Sequence, residues 1–308
     1  MRYIKEDVIE DNIKQILLTN DLILVLKDNA YGFGLPLMVK LAKKYQLKRY
    51  AVKNVGEGYN LRCLDEEAEI LILGKIKKEE LKDIIKYNLT PTLNDYDDYI
   101  LFKENNISCH LAIDTGMNRF GMKSRYLALI NDKIVKAIYT HLYSDNNIEK
   151  IRFIEDLARK YNKRLHIGGS NAYGKTLFDL RVGKMLYENA LSFYGHIVNI
   201  KELKKGETVG YDGLFKAPKD CLIGICDIGY VNGLDNLFNG RVWINNNYYF
   251  CVGKCCMDHS FIMIDESVKL GDEVEFFGNK ISEDEFVIAN KTTKYRLFLN
   301  INQQNSLK

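Results

Sequence analysis

The chain has 308 residues, and its 44 lysines and arginines nearly balance its 41 aspartates and glutamates, for a net charge of +3. This balance gives no reason to expect nucleic acid or a membrane surface as a partner, and no apolar segment approaches the ~20 residues that a membrane helix needs. The seven cysteines lack the spacing of a metal site or redox pair, and the N-terminus lacks a signal-peptide apolar centre, so we expect a reduced, cytoplasmic protein without a metal.

Short apolar segments alternate with amphipathic segments from Asp21 to about Tyr187. Eight of the apolar segments have the length and composition of strands, and they span 22–27, 49–53, 70–73, 89–93, 110–114, 135–140, 164–168 and 180–187. Helical patterns lie between them at 35–47, 57–64, 78–87, 95–104, 124–131, 147–161 and 171–177. Eight strands that are each followed by a helical pattern predict a (β/α)8 barrel.

The pattern changes after about residue 190. Strand-like segments follow one another at 197–203, 221–227, 241–244, 248–252, 260–264 and 273–277. Turn signals such as Asn239-Gly240 and Gly271-Asp272 separate them. We therefore predict an α/β protein with two domains: a (β/α)8 barrel over residues 1–195 and a mostly β domain over residues 196–308.

Lys27 ends the first predicted strand, directly after the apolar residues 22–26. An ammonium is costly to bury, so a lysine in this position is either a solvated strand end or a functional group. At the mouth of a barrel, a lysine with a lowered pKa can form a Schiff base with an aldehyde. Tyr31 adds a hydroxyl four residues later, and Gly32 and Gly34 allow close backbone approach.

Other candidate site residues, all but one of them polar, fall at or just after the carboxyl ends of the predicted strands, where the active sites of such barrels lie. They are Arg119, His141, Ser170, Arg181, Gly183 and Lys184. Arg119 and His141 each have an ordinary structural explanation, but a buried arginine such as Arg181 needs a partner. Together with Lys27, the set suits pyridoxal phosphate, which needs a Schiff-base lysine, donors for its phosphate and a partner for its pyridine nitrogen. Ser170 and the backbone near Gly183 and Lys184 suit the phosphate.

The chain resembles the alanine racemases, which are pyridoxal phosphate enzymes of fold-type III. The resemblance runs from Leu24 to about Tyr295. The segments that carry it are Lys27-Asp-Asn-Ala-Tyr31-Gly, Ile113-Asp-Thr-Gly-Met-Asn-Arg119-Phe-Gly, Tyr139-Thr-His141, Ser170-Asn-Ala172, Arg181-Val-Gly183, Gly206-Glu-Thr-Val-Gly-Tyr211, Gly229-Tyr230-Val-Asn-Gly233 and Cys256-Met257-Asp258. The resemblance implies that the protein interconverts L- and D-alanine, and that its D-alanine supplies peptidoglycan.

The resemblance also implies roles for single residues. Lys27 would carry the cofactor and move the α-proton on one face, and Tyr211 would move it on the other, its pKa lowered by the nearby cations His141 and Arg181. Arg181 would hydrogen-bond the pyridine nitrogen. The residues implied for the phosphate are Tyr31, Ser170, Gly183 and Tyr295, and those implied for the substrate are Arg119 and the Met257 backbone. In the family the tyrosine and methionine segments reach into the partner subunit, so we expect a homodimer with shared active sites.

One departure from the family pattern concerns Ala112, and three competing functions stay open. Ala112 stands where many family members have a lysine, often carbamylated, that braces the substrate arginine, so we expect Arg119 to be held by an anion, by an amide, or less firmly. The first competing function is a racemase for serine or another small amino acid. The second is a fold-type III decarboxylase, although Cys256-Met-Asp-His differs from its expected Cys-Glu-Ser-x-Asp. The third is a non-enzymatic pyridoxal phosphate carrier, a class that lacks the β domain.

Overall fold

The computed structural model of the protein describes residues 1–144 and 147–303. It divides into two compact units, one of Glu10–Leu186 and one of Met1–Ile9 with Tyr187–Lys308. The chain begins with strand β1 (Arg2–Ile4) and helix α1 (Glu6–Leu17), neither of which we predicted. Because β1 pairs with residues 191–193 of the second unit, the first residues belong to that unit. The division at 186/187 thus differs from the predicted boundary after residue 195.

Eight parallel strands form a closed barrel in the first unit, as predicted. They are β2 (Leu22–Val25), β3 (Arg49–Val52), β4 (Glu69–Ile72), β5 (Thr90–Leu93), β6 (Cys109–Ala112), β7 (Val135–His141), β8 (Arg164–Gly168) and β9 (Asp179–Val182). Strand β9 closes the barrel against β2, with Arg181 opposite Ile23. Most residues of the eight strands are buried, which explains their largely apolar sequences. The eighth strand ends at Val182 rather than at residue 187, because a short helix begins at Lys184.

Helices follow the barrel strands β2 to β5, β7 and β9. They are α2 (Leu35–Lys44), α3 (Val55–Leu64), α4 (Leu81–Lys86), α5 (Tyr96–Glu104), α6 (Ile148–Tyr161) and α7 (Lys184–Tyr187). Asn54 caps α3 by accepting a hydrogen bond from the backbone N–H of Glu57. The predicted helices at 124–131 and 171–177 are instead the 3₁₀ segments Ser124–Asn131 and Ser170–Ala172. Gly174 has φ +72°, a left-handed conformation that a right-handed helix over 171–177 could not include.

The second unit is built on an antiparallel sheet. Its strands beyond β1 are β10 (Leu191–Leu203), β11 (Thr208–Val209), β12 (Phe215–Lys216), β13 (Cys221–Cys226), β14 (Arg241–Ile244), β15 (Asn247–Cys251), β16 (Ser260–Ile264) and β17 (Glu273–Phe277). The main sheet has the order β1-β10-β13-β16-β15-β14-β17, and β10 also pairs with β17. The predicted β domain is therefore confirmed. We did not predict its two helices, α8 (Glu283–Ala289) and α9 (Lys294–Gln303).

Among residues 1–144 and 147–303, no helix combines the length and the apolar character needed to cross a bilayer. This finding agrees with the composition, in which charged residues make up 28% of the chain.

Candidate active site

A left-handed turn follows the first barrel strand and begins at Lys27. Its residues Asp28, Asn29, Ala30 and Tyr31 have φ values of +52°, +53°, +55° and +55°. This conformation costs an L-residue roughly 1–2 kcal/mol. Asp and Asn adopt it more readily than other residues, but Ala30 and Tyr31 have no such tendency. Strain of this kind is concentrated at functional sites, so the turn marks the end of β2 as a place where backbone geometry matters.

The carboxylate of Glu57 supports this turn from α3. Its Oε1 accepts a hydrogen bond of 2.8 Å from the backbone N–H of Asp28, and its Oε2 accepts one of 2.7 Å from the backbone N–H of Lys53. The Lys53 ammonium pairs with the Asp28 carboxylate at 2.7 Å. Asn29 adds a bond by accepting from the N–H of Leu35 at 2.9 Å. These contacts hold the backbone on which Lys27 and Tyr31 are mounted, and the Lys27 Nζ lies 5.6 Å from the centre of the Tyr31 ring.

Arg181 lies inside the barrel, with only 5% of its surface exposed. Its Nη1 lies 3.0 Å from Nδ1 of His166, and its Cζ lies 4.3 Å from the centre of the Tyr139 ring. Burial lowers the pKa of Arg181 from its ordinary value, although an arginine guanidinium keeps its charge at neutral pH. The predicted need for a partner is therefore met by a histidine and an aromatic face rather than by a carboxylate.

His141, at the end of β7, is a neutral imidazole at pH 7. Burial is the largest cause that lowers its pKa to about 4, and the positive charges of Arg181, Arg119 and Lys27 lower it further. The imidazole is half-buried and lies among cations, so its low pKa weighs against a positive charge at His141, whereas its predicted role beside a tyrosine stays a prediction. Arg181, Arg119 and Lys27 thus all lie near enough to His141 for their charges to act on it.

Glycines leave space for the backbone and for functional side chains at the same end. A Cβ at Gly183 would lie 2.5 Å from the hydroxyl oxygen of Tyr31, so the Tyr31 hydroxyl lies directly against the backbone of Gly183. A Cβ at Gly168 would lie 2.4 Å from Nη2 of Arg181 and 2.8 Å from Nδ1 of His141. Ser170 opens the 3₁₀ segment after β8. The structure thus brings Tyr31 close to Gly183, and His141 close to Arg181, among the barrel residues that we selected from strand ends.

Arg119 lies on the loop after β6, and its side chain is exposed. Asp114 organises this loop by accepting hydrogen bonds from the N–H groups of Gly116 and Asn118 at 2.9 and 3.0 Å and by pairing with Lys123 at 2.6 Å. Arg119 itself makes no ion pair or hydrogen bond with any residue in the ranges 1–144 and 147–303. Ala112 is buried at 4% exposure and supplies no brace, so the guanidinium is held less firmly than a paired arginine would be.

Three predicted site residues belong to the second unit, where each side chain is exposed. Tyr211 begins the 3₁₀ segment Tyr211–Gly213 and is 62% exposed, Met257 is 53% exposed, and Tyr295 on α9 is 47% exposed. Lys254 pairs with Asp212 at 2.8 Å, and the N–H of Val231 donates to the Met257 carbonyl at 3.0 Å. These contacts join the loops that carry Tyr211, Val231 and Met257 into one surface of the β unit.

We missed three residues that contact the site: His110, Thr92 and Glu57. His110 and Thr92 are buried, with 2% and 0% of their surfaces exposed. His110 is a polar residue inside the otherwise apolar strand Cys109–Ala112, and that mismatch was the available signal, whereas Thr92 shares its strand with Thr90 and gave a weaker one. Glu57 had no comparable signal, because a glutamate in the first turn of a helix is ordinary.

Comparison with known proteins places this geometry in a family. Residues 4–189 match the family model for the alanine racemase N-terminal domain, and residues 190–307 match the one for the C-terminal domain. The chain is 30% identical to the alanine racemase of Borreliella burgdorferi (strain ZS7), over 94% of this chain and 90% of that protein.

The chain belongs to the alanine racemase family. Another relative in the family is the alanine racemase of Staphylococcus epidermidis, 25% identical over 95% of this chain and 89% of that protein. The fold is also that of the solved alanine racemase from Acinetobacter baumannii, with a TM-score of 0.86, 21% identity and coverage of 97% and 96%. The Bartonella henselae enzyme, solved with covalently bound pyridoxal phosphate, gives a TM-score of 0.88 at 17% identity, with coverage of 98% and 96%. The racemase interpretation of the sequence is confirmed, and neither a serine racemase, nor a decarboxylase, nor a cofactor carrier is favoured.

Proposed function

We propose that this alanine racemase moves the α-proton of alanine between Lys27 and Tyr211, with pyridoxal phosphate as its cofactor. When bound, the cofactor supplies an electron-withdrawing ring that stabilises negative charge at the α-carbon. The observation that carries this proposal is the left-handed turn that begins at Lys27. It sets an amine and the Tyr31 hydroxyl at the carboxyl end of β2, and its strain is supported by the Glu57 carboxylate.

The donors at the barrel end fit this cofactor. Lys27 would hold it covalently, and Arg181 would donate to the ring nitrogen from inside the barrel. The Tyr31 hydroxyl lies directly against the Gly183 backbone, so a hydroxyl donor and a glycine backbone would meet the phosphate side by side. The phosphate would be held by Tyr31, Ser170, Gly183, Lys184 and Tyr295.

Arg181 would control the outcome of the reaction through its fixed charge. A guanidinium has only donors and does not give up its proton at neutral pH. Arg181 would therefore donate a hydrogen bond to the ring nitrogen without giving up its proton, and so would keep negative charge nearer the α-carbon. Rapid return of the proton to that carbon favours racemisation over transamination.

Racemisation requires proton transfer on both faces of the α-carbon. Lys27 would serve one face and the Tyr211 hydroxyl the other, because one group would otherwise have to cross the plane of the cofactor. A tyrosine with an ordinary pKa of about 10 is a weak base at neutral pH, so a cation must stabilise its phenolate. Since His141 is neutral, Arg181 is the candidate for that charge.

Arg119 and Met257 would bind the substrate. The guanidinium of Arg119 would face the alanine carboxylate, and the Met257 backbone would bound the pocket from the other side. Because Arg119 has no bracing partner at Ala112, we expect weaker binding of the carboxylate than a braced arginine would give. A narrow pocket favours alanine, with serine as the nearest competitor.

We further propose a homodimer in which Tyr211 and Met257 act at the partner's barrel. Tyr211, Leu214 and Met257 are 62%, 58% and 53% exposed, and large apolar side chains exposed together on one surface mark protein contacts. Tyr230 and Val231 on the neighbouring loop are 40% and 42% exposed. Burial of this surface against a second copy would complete each active site.

We place the enzyme in the cytoplasm, with D-alanine for peptidoglycan as its product. All seven cysteines are free thiols, which agrees with a reducing compartment. The peptidoglycan role is a proposal that follows from the family alone.

The test is incubation of the purified protein with L- and D-amino acids in deuterium oxide. Inversion and α-proton exchange of alanine, with serine well below it, would support the proposal, whereas release of carbon dioxide would contradict it. The variant Lys27→Ala should lose both exchange and the visible absorbance of the bound cofactor. Lys136→Ala, which removes an exposed lysine from β7, is the matched control and should keep the absorbance.

A further inference from the structure

Polar side chains occupy positions inside the barrel where branched apolar residues are usual. They come from alternate strands in two sets, as the layers of such barrels do: Glu69, His110 and His166 from β4, β6 and β8, and Thr92, Tyr139 and Arg181 from β5, β7 and β9. Strands β6 and β8 are not neighbours, so the buried side chains of His110 and His166 meet within the barrel. Five of these six residues are buried, and buried polar groups need partners.

The contacts that run from Arg181 through the first set allow only one assignment of donors and acceptors. Arg181 Nη1 lies 3.0 Å from His166 Nδ1, and arginine can only donate, so His166 Nδ1 must be the acceptor. A neutral His166 then carries its proton on Nε2, which lies 3.0 Å from Nδ1 of His110. That nitrogen must accept in turn, so His110 carries its proton on Nε2. This last N–H faces Oε1 of Glu69 at 3.5 Å.

Both histidines are neutral in this chain of contacts. Burial is the main cause that lowers the pKa of His110 to about 4, with Arg164, Arg181 and Arg49 adding to the effect and Glu69 opposing it. Burial lowers the pKa of His166 well below its ordinary value. A second proton on either ring would set a donor against a donor, which a buried site does not tolerate.

In the second set, Tyr139 packs against the guanidinium of Arg181 but accepts no hydrogen bond from it. The Tyr139 ring stacks on His166 with centres 4.7 Å apart and an angle of 19°, and the guanidinium lies over the same ring. Thr92 donates to the carbonyl of Ile72 at 2.7 Å and so accepts from the Tyr139 hydroxyl at 3.1 Å. Tyr139 is thus held in place. Among residues 1–144 and 147–303, His166 supplies the acceptor that Arg181 needs.

We propose that His110 is a positioning residue: by accepting from His166 it fixes the tautomer that receives Arg181, and so holds the guanidinium in one orientation. Without that acceptor, His166 is free to carry its proton on Nδ1, where it opposes the Arg181 N–H. The consequence for the reaction rests on the role beside the cofactor ring that we propose for Arg181. The tautomer itself does not depend on that role.

The direct test is nitrogen-15 NMR of the histidine rings in the full-length protein, with and without added pyridoxal phosphate. The chain has only five histidines, so single-residue variants suffice to assign the signals. We expect His110 and His166 to be neutral at pH 7, each with a protonated Nε2 and an unprotonated Nδ1. A protonated Nδ1 on His166, or a doubly protonated ring, in the wild-type protein would overturn the proposal.

Two variants of His110 separate positioning from packing. His110→Asn keeps an acceptor oxygen where Nδ1 stands, so it should retain the His166 tautomer and kcat/KM within about threefold. His110→Leu removes the acceptor and should give a mixed tautomer. Since a displacement of about 1 Å can cost on the order of 100-fold in rate, we expect kcat/KM to fall by about that factor. Equal kcat/KM in the Leu and Asn variants would contradict the proposal.

A matched control removes a different buried hydrogen bond of the barrel. Tyr50 is fully buried on β3, and its hydroxyl bonds Asp65 at 3.0 Å and the carbonyl of Leu47 at 3.1 Å; neither bond involves Arg181 or His166. Tyr50→Phe should lower thermal stability while leaving the His166 tautomer unchanged. If the wild-type protein shows the expected tautomers but does not racemise alanine, the proposed function fails and the positioning of Arg181 by His110 stands.

Discussion

The variant Gly168→Ala would measure how tightly the guanidinium of Arg181 is held. An added Cβ would lie 2.4 Å from Arg181 Nη2 and 2.9 Å from its Cζ, whereas favourable contacts lie at about 3.5–4.0 Å. The guanidinium ends a long side chain, but Tyr139 and His166 hold it within the buried interior. It therefore has to move by about 1 Å, which would stretch its 3.0 Å bond to His166 out of hydrogen-bonding range.

The size of the effect follows from that displacement. A hydrogen bond to a charged group contributes about 1.5–3 kcal/mol, so we expect Gly168→Ala to lose about 2 kcal/mol of unfolding free energy. A shift of about 1 Å in a positioning group can also cost on the order of 100-fold in rate. We therefore expect kcat/KM to fall by about that factor for both alanine enantiomers, with weaker binding of the cofactor.

The assay combines chemical denaturation with racemisation rates in both directions. Gly56→Ala is the matched control, because its Cβ would meet only Asn54 Oδ1 at an ordinary 3.5 Å. Replacing a glycine inside helix α3 by alanine should raise stability by roughly 0.5–1 kcal/mol. Wild-type stability and kcat/KM in Gly168→Ala would refute the argument that Arg181 is held rigidly.

Three further predictions follow from other parts of the molecule. Tyr211→Phe should abolish exchange of the α-proton in deuterium oxide for one alanine enantiomer much more than for the other, and equal losses would argue against two opposed groups. The pKa of His110 falls from 6.5 to about 4 on folding, so the unfolded chain binds a proton that the folded chain does not. The unfolding free energy should therefore fall as pH drops from 6.5 to 4, by up to about 3 kcal/mol for this group. Urea titrations at several pH values should show a smaller fall in His110→Asn than in the wild-type protein, and an equal fall would contradict this assignment. Glu57→Gln should cost about 1–3 kcal/mol of unfolding free energy, because one of the two N–H groups it binds would face an amide N–H, and an unchanged urea midpoint would show that the left-handed turn does not need the carboxylate.

The barrel and its active-site end followed from local features of the chain. The length and apolar character of the eight strand segments are local signals, so their positions agree with the structure to within a few residues, apart from the end of the last strand. Polar residues at the carboxyl ends of parallel strands must come to one end of a barrel. For this reason Lys27, His141 and Arg181 could be selected as strand-end residues from the sequence alone. The helices were predicted less accurately than the strands. The helix predicted at 171–177 does not form, because Gly174 takes a left-handed conformation that its neighbours in the chain do not reveal.

By itself, the sequence of this protein determined the two-domain class, the barrel, the lysine that follows β2 and the family to which the chain belongs, because each depends on residue types in a linear order. The tertiary structure decided three things. It placed Ala30 and Tyr31 in a left-handed turn that neither residue prefers, with a glutamate 29 positions from Asp28 as its support. It brought His110 and His166 together across 56 residues, a contact that only closure of the barrel creates. It also left His141 neutral, because burial and the charges around an imidazole, rather than its neighbours in the chain, set its pKa.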